Sequence, residues 1–184
     1  MACNTSLTAN ISTCGVNAVK GLRLKAWALN RSDIASVTKT ANVVSAITRV
    51  ATKKAFTIEG FKDFMNAGYD AVVSDTMVTK FTHYLSLNAF LATAAEKANI
   101  DKADDIVWIV ERNGDKDASS FIVLGLQNGT WKSSQTKRAN DDNGKTTVEF
   151  TTREGMEEEY SEYVFDTGSG YSANLAYLVA LETA

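Results

Sequence analysis

Apolar and polar residues alternate with a period of two through much of this chain, a pattern typical of half-buried strands. In the first such segment, residues 19–29, the apolar face consists of Leu22, Leu24, Ala26 and Ala28. A polar turn at residues 30–33 follows. The same alternation returns at residues 43–50 and predicts a second strand there.

Residues 55–85 are rich in Phe, Thr, Val and Tyr. They predict two extended strands joined by an irregular stretch around residues 66–68. The pattern changes at residues 86–98, where apolar side chains fall at helical spacing and alanine is frequent. Ser86 can act as the N-cap and Asn99 can end the helix. We therefore expect one helix in the middle of the chain.

The second half of the chain combines short apolar segments with Asn-Gly pairs, which mark tight turns between strands. These pairs are Asn113-Gly114, Asn128-Gly129 and Asn143-Gly144. Strands are expected at residues 106–110, 121–126, 146–152 and 160–165. The intervening stretch at about 132–145 is polar and charged, which predicts a long polar hairpin.

The two ends of the chain differ in character from its middle. Residues 1–17 are rich in Thr, Ser and Asn, so we expect an extended arm that orders only against a neighbour. A glycine-rich break at 168–170 precedes residues 171–181, which fit a helix with Ser172 as N-cap, a strand being the alternative. Residues 18–184 are expected to form a single domain. Its predicted fold is mainly β, a sandwich or barrel with one flanking mid-chain helix.

Composition narrows the class of protein. A chain of 184 residues is long enough to bury a core. Its net charge of -3 argues against a general nucleic-acid binder, which carries a basic footprint. Neither a long apolar span nor a secretion signal is found in the sequence, so we expect a protein made in a cytoplasm without membrane contact. Because the chain contains no proline, its strand edges can pair along their length.

Reactive side chains are few. His83 is the only histidine, and its position in a strand pattern favours a packed or half-exposed strand residue. Cys3 and Cys14, the only cysteines, cannot complete a zinc site with one histidine unless carboxylates contribute, and a reducing compartment disfavours a disulfide between them. Neither a P-loop nor a nucleophile-elbow motif occurs. We expect no enzyme activity, no metal and no cofactor.

Two groups of opposite charge lie close together in sequence. The basic group, on the polar hairpin, consists of Lys132, Lys137 and Arg138. The acidic group, before the last predicted strand, consists of Glu157, Glu158 and Glu159. In a ring, one surface of a subunit meets a different surface of the next, and opposite charges there would fix the register. These six residues are a candidate subunit interface; a solvated acidic rim and an ordinary charged loop are the alternative.

Several short words occur in a characteristic order along the chain. They are MACNTSLTANISTCG, VKGLRLKAWALN, IVWIVERNGD, SFIVLGLQNGTW and NDDNGKTTVEFTTREG. This order resembles structural proteins of tailed bacteriophages that infect Bacteroidetes, including crAss-like phages. The β-rich plan is similar to that of phage tail-tube and tail-ring proteins. The resemblance covers most of residues 14–165, and the segment after Gly170 departs from it.

The resemblance implies a tail-tube-like virion protein that assembles with itself into rings or a tube and contacts other tail or connector proteins. The polar hairpin and the N-terminal arm would then reach neighbouring subunits, and DNA would pass only as transiting cargo. A capsid decoration or head–tail adaptor protein is the first alternative. A carbohydrate-binding β-sandwich that uses Trp27, Trp108 or Trp131 as a sugar platform is the second, although Trp108 lies in an apolar run and is expected in the core.

Overall fold

The computed structural model describes residues 21–60, 64–73, 78–91, 93–114, 116–138, 140 and 144–183. The predicted N-terminal arm, Cys3 and Cys14 lie outside these residues. The described part of the chain contains eleven strands, two α-helices and one turn of 3-10 helix at Arg31–Asp33. The protein is therefore mainly β, as the alternation predicts.

The strands fall into two sheets. The large sheet has seven strands in the order β2 (Ile34–Thr40), β3 (Val43–Arg49), β11 (Tyr163–Phe165), β8 (Phe121–Leu124), β7 (Ile106–Arg112), β1 (Leu22–Asn30) and β4 (Phe56–Glu59). The small sheet has four, in the order β5 (Met65–Val72), β6 (Lys80–Ala89), β10 (Thr146–Thr151) and β9 (Trp131–Thr136). All pairings are antiparallel except that of β3 with β11. The helices are α1 (Ala94–Asp101) and α2 (Tyr171–Ala180).

The large sheet lies between the small sheet and α2, so its central strands are buried on both faces. In β1, Ala26 and Ala28 face the core shared with the small sheet, whereas Trp27 and Leu29 face the core shared with α2. All four are buried. A sheet covered on both faces needs apolar residues on both, and this explains why Trp27 lies on the face that the alternation marks as polar. The architecture is a β-sandwich-like pair of sheets with a helix on the outer face of one of them.

The mid-chain helix exists, but it begins later than predicted. Strand β6 continues to Ala89, because Leu87 and Ala89 bury their side chains in register with β10. Helix α1 starts only after Thr93, whose hydroxyl accepts from the N–H of Glu96 while the Glu96 carboxylate accepts from the N–H of Thr93. This capping box replaces the predicted cap at Ser86.

The prediction of an irregular stretch at residues 66–68 is wrong, because these residues lie inside β5 and pair with β6. Gly68 breaks the apolar pattern for a steric reason: a Cβ at that position would lie 2.6 Å from the Tyr84 hydroxyl on the neighbouring strand. Strand β2 escaped prediction because only Ile34 and Val37 of its side chains pack, partly buried, on the core. Edge strands carry a weak alternation signal.

The helix predicted for residues 171–181 is confirmed as α2, a second helix that the fold-class prediction did not count. Asn174 and Leu178, four residues apart on one face, are buried against the large sheet. The predicted cap at Ser172 is wrong: Gly170 occupies the N-cap position with φ 82°, a left-handed backbone that favours glycine. Asn174 accepts from the N–H of Thr167, which fixes the helix to the chain that follows β11.

Candidate assembly surfaces

In the small sheet, β6 pairs with β5 over a longer stretch than with β10. The two strands of the β5–β6 hairpin pair from Met65 opposite Leu87 to Val72 opposite Lys80, whereas β10 pairs with β6 only between Tyr84 and Ala89. The distal half of the hairpin thus lies past the pairing of β6 with β10. On the β6 side, its backbone is bonded to Glu158 at Phe81 and to Thr152 at His83.

Four exposed apolar side chains lie at this end of the hairpin: Tyr69 and Val72 on β5, and Val73 and Val78 just outside the paired strands; we call them the hairpin patch. Val73 is 75% exposed and Val78 is 61% exposed. Single exposed apolar residues are ordinary, whereas a group of them close together in the chain is a candidate interaction surface. Val72 and Val73 are consecutive in an extended segment and point to opposite faces, so both faces of the hairpin end carry exposed apolar side chains. The sequence holds a signal for the hairpin patch in the adjacent Val72 and Val73, which interrupt the alternation; sequence reasoning missed it.

Among the described residues, no further strand pairs with the outer strands of either sheet. Strands β2 and β4 end the large sheet on opposite sides, and β5 and β9 end the small sheet. None of these strands contains proline, the residue that protects many edges from pairing. Each sheet therefore offers two unlike edges, one at either side.

Lys132, predicted in the basic part of the interface, is engaged within the chain. It lies on β9, and its Nζ donates to the carbonyls of Ile100 (3.1 Å) and Asp101 (2.7 Å) at the end of α1. A cation at a helix C-terminus satisfies carbonyls that lack partners in the helix. Lys137 and Arg138, by contrast, are exposed just after β9, on the loop towards β10. Strand β9 pairs antiparallel with β10, from Trp131 opposite Thr151 to Thr136 opposite Thr147.

The three glutamates of the acidic group occupy different environments. Glu158 is 0% exposed, and its carboxylate accepts from the backbone N–H groups of Gln127 and Asn128 at 3.0–3.1 Å. The expectation that it forms part of a solvated acidic rim is therefore wrong. Its backbone bridges Phe81 of β6, and this pairing turns its side chain inward. A buried carboxylate bonded to a turn is a structural element of the monomer.

Glu157 and Glu159 flank this buried position. The backbone N–H of Gly155 donates to the carboxylate of Glu157 and holds the pKa of Glu157 below its usual range. Glu159 is exposed, and its carboxylate lies 3.3 Å from Nζ of Lys39 on the edge strand β2. The cation paired with Glu159 thus lies on β2, whereas Lys132 is bonded to α1. Glu159, Lys137 and Arg138 remain the exposed members of the predicted interface.

His83 is a packed strand residue, one of the two roles expected from sequence. It is completely buried, its Nδ1 accepts from the N–H of Gly125 at 3.1 Å, and its Nε2 lies 2.9 Å from the carbonyl of Tyr160. A carbonyl can only accept, so Nε2 carries the proton and the ring is neutral. Burial lowers the pKa of His83 and favours this neutral state.

The three tryptophans do not form an open platform. Trp27 and Trp108 are each 1% exposed, which confirms the core position predicted for Trp108. The ring of Trp131 is covered by the guanidinium of Arg153, 3.5 Å from its centroid. A sugar ring stacks on an uncovered aromatic face. The ring face of Trp131 that contacts Arg153 is therefore not available for stacking.

Within the described residues, neither helix is long and apolar enough to cross a membrane. The same residues hold no group of three or more His, Cys, Asp or Glu side chains placed to bind a metal ion. Comparisons of the chain with protein-family models, with curated proteins and with solved structures gave no match.

Proposed function

We propose that this protein is a virion structural protein that assembles with itself into rings forming part of a phage tail tube or tail ring. The observation that carries the self-assembly is the hairpin patch, a group of exposed apolar side chains at the end of the β5–β6 hairpin that lies past the pairing of β6 with β10. Its occupant in this proposal is a second copy of the chain. The virion assignment rests on the order of sequence words described above.

The hairpin patch offers a useful part of the free energy of association. Burying a fully exposed valine side chain contributes roughly 1.5 kcal/mol. Val72, Val73 and Val78 are 40%, 75% and 61% exposed, so together they contribute about 3 kcal/mol. Association itself costs about 4–15 kcal/mol in lost freedom, so the patch alone is insufficient. Pairing between strand edges of neighbouring subunits would supply the remaining contacts. In a closed ring, every subunit makes this contact on both sides.

The arrangement of edges permits head-to-tail contacts. Each sheet ends in two unlike strands, β2 and β4 in one and β5 and β9 in the other. When one edge of a subunit meets a different edge of the next, the contact is heterologous, and a heterologous contact that closes generates a ring. The exposed charges of Lys137, Arg138 and Glu159 would set the register of such contacts.

The proposal also covers the partners of the ring in the virion. Tail and connector proteins of the virion would be its other partners, and DNA would pass through as cargo, since a chain of net charge -3 has little affinity for phosphate. The proposal assigns no catalysis and no cofactor to the chain. A capsid decoration or head–tail adaptor role is the second candidate, because the hairpin patch can equally dock on an assembled shell.

Sedimentation velocity over a concentration series tests the self-assembly. The proposal expects the monomer boundary to give way to one large species of fixed size, as a closed ring requires. A continuous distribution of ever larger species would indicate open aggregation and contradict ring closure. A monomer at every concentration that binds phage capsids would move the assignment to the decoration or adaptor role.

A further inference from the structure

A cavity of about 520 Å³ penetrates the core between the two sheets, at the end covered by α1. Its walls come from both sheets and from the helix, and its deep part is formed by buried apolar side chains. These include Ala28, Leu87, Ala89, Ile100, Trp108 and Val148. Small-molecule sites in proteins have this size and this apolar lining.

Small side chains in the wall leave room for the cavity. Ala28 of β1 and Ala89 of β6 both contribute to its wall, and α1 buries only Ile100. Protein interiors are close-packed, and an empty space of this size leaves its lining atoms without contacts. An occupant that supplies those contacts would be bound favourably.

One polar atom of the lining is left without a partner. Trp108 is 1% exposed, and its indole Nε1 has no hydrogen-bond partner among the described residues. Trp27, on the opposite face of the large sheet, shows the usual arrangement, since its Nε1 donates to Glu182 at 2.8 Å. A buried donor without an acceptor is costly, and native structures rarely leave one so.

The mouth of the cavity has a different character. Phe56 of β4 and Phe90, just after β6, line it and are each about half exposed. Asn99 and Lys102, on and just after α1, add polar groups to the lining. An apolar interior with a few polar groups is the usual composition of a ligand site.

We infer that this cavity binds a small, uncharged and mainly apolar molecule that carries a hydrogen-bond acceptor for the indole N–H of Trp108. The apolar body follows from the lining, and the acceptor follows from the unpartnered donor. A charged ligand is disfavoured because the charged residues of the lining, Glu59, Glu96 and Lys102, are exposed, whereas its buried residues are apolar. An unpaired buried ion is very costly. The inference is independent of the proposed assembly, since the site lies within one chain.

The test uses ¹H–¹⁵N correlation spectra of the full chain, recorded at concentrations where it is monomeric. Two probes of nearly equal shape are titrated: 2-acetylnaphthalene, which carries a carbonyl acceptor, and 2-ethylnaphthalene, which carries none. The ketone is expected to shift the indole N–H resonance of Trp108 in a saturable manner, and to bind about tenfold more tightly than the hydrocarbon. The indole resonance of Trp27, bonded to Glu182 on the other face, is the internal control and stays in place.

Two variants sharpen the result. Trp108→Phe removes the donor, so both probes are expected to bind with equal affinity. Ala89→Phe fills the cavity, so binding of both probes is expected to be lost. Trp108→Phe alone suffices for the test if the larger substitution prevents folding.

Three outcomes would overturn the inference. They are no shift of the Trp108 resonance up to the solubility limit of the probes, equal affinities of the wild-type chain for the ketone and the hydrocarbon, and a Trp108 resonance that moves with protein concentration in the absence of probe. The last result would mean that another copy of the chain fills the cavity.

Discussion

The hydroxyl of Tyr177 on α2 bonds both backbone groups of Ile47 on β3: it accepts from the N–H at 3.1 Å and donates to the carbonyl at 3.0 Å. The pairing of β11 with β3 covers only Val43 and Val44, so Ile47 lies past its end. One side chain of the helix therefore takes the place of the next strand. Tyr177 fixes α2 to the large sheet at the point where the sheet's own pairing ends.

Tyr177→Phe should lower the free energy of unfolding by about 1–3 kcal/mol, because a partly buried N–H and carbonyl lose their partner. Urea denaturation followed by circular dichroism measures the change. Tyr69→Phe is the matched control, since Tyr69 is 43% exposed and its substitution should be nearly neutral. Equal stabilities of the two variants would contradict the anchoring role of Tyr177.

Glu158→Ala should destabilise the monomer by about 3 kcal/mol or more, because two backbone N–H groups in the turn after β8 lose a charged acceptor. Thermal unfolding measures the loss. Glu159→Ala, one residue away and exposed, is expected to unfold like the wild type. If the two variants behaved alike, the structural assignment of Glu158 would fail.

Acidification from pH 7 to pH 5 should destabilise the protein through His83. Burial lowers the pKa of His83 in the folded state below the value of about 6.5 that it has when unfolded. The unfolded chain therefore binds the proton more readily, and the stability that the neutral ring provides is complete above the unfolded pKa and lost as the pH falls below it. Chemical denaturation at a series of pH values measures this slope.

The contribution of His83 to the pH dependence of the free energy of unfolding can be separated from that of the carboxyl groups. Hydrogen bonds from Asn30 and Ser119 lower the pKa values of Asp33 and Asp117 from 3.8, so their contribution changes only at more acidic pH. His83→Gln should be less stable at pH 7 and should lose the dependence between pH 7 and pH 5. A wild-type stability that rises on acidification in this range would contradict the assignment.

Val73→Asp should abolish assembly while leaving the monomer as stable as the wild type, because Val73 is 75% exposed and its charge would be buried only between copies. Mass photometry and thermal unfolding measure the two properties separately. Val179→Asp, on the exposed face of α2, is the control for charge at an exposed valine. Assembly lost equally in both variants would indicate a general effect of charge and not a role of the hairpin patch.

The sequence predicts those parts of the fold in which local pattern and tertiary packing agree. The β7–β8 hairpin follows from two apolar runs around Asn113-Gly114, and its pairing is as expected. The local pattern around Leu87 is ambiguous, since this residue fits both the helical spacing and the period of two. Its pairing with Val148 of β10 shows that it lies in a strand. Long-range pairing of this kind is not contained in a local window.

In the candidate interface, too, the sequence pattern predicts one part of the arrangement and long-range pairing decides the rest. Consecutive glutamates in an extended segment point to alternate faces, so one of the three could be expected to turn inward. Which one depends on the bridge between Phe81 and Glu158, residues 77 positions apart in the chain. The hairpin patch likewise becomes visible only when the length of β5 and β6 is compared with that of β10.

Negative-stain electron microscopy of the wild-type chain beside Val73→Asp tests the central claim most directly. The account predicts closed rings or stacked tubes of uniform diameter for the wild type, and isolated small particles for the variant at the same concentration. Isolated particles in both samples, or rings in both, would contradict assembly through the hairpin patch.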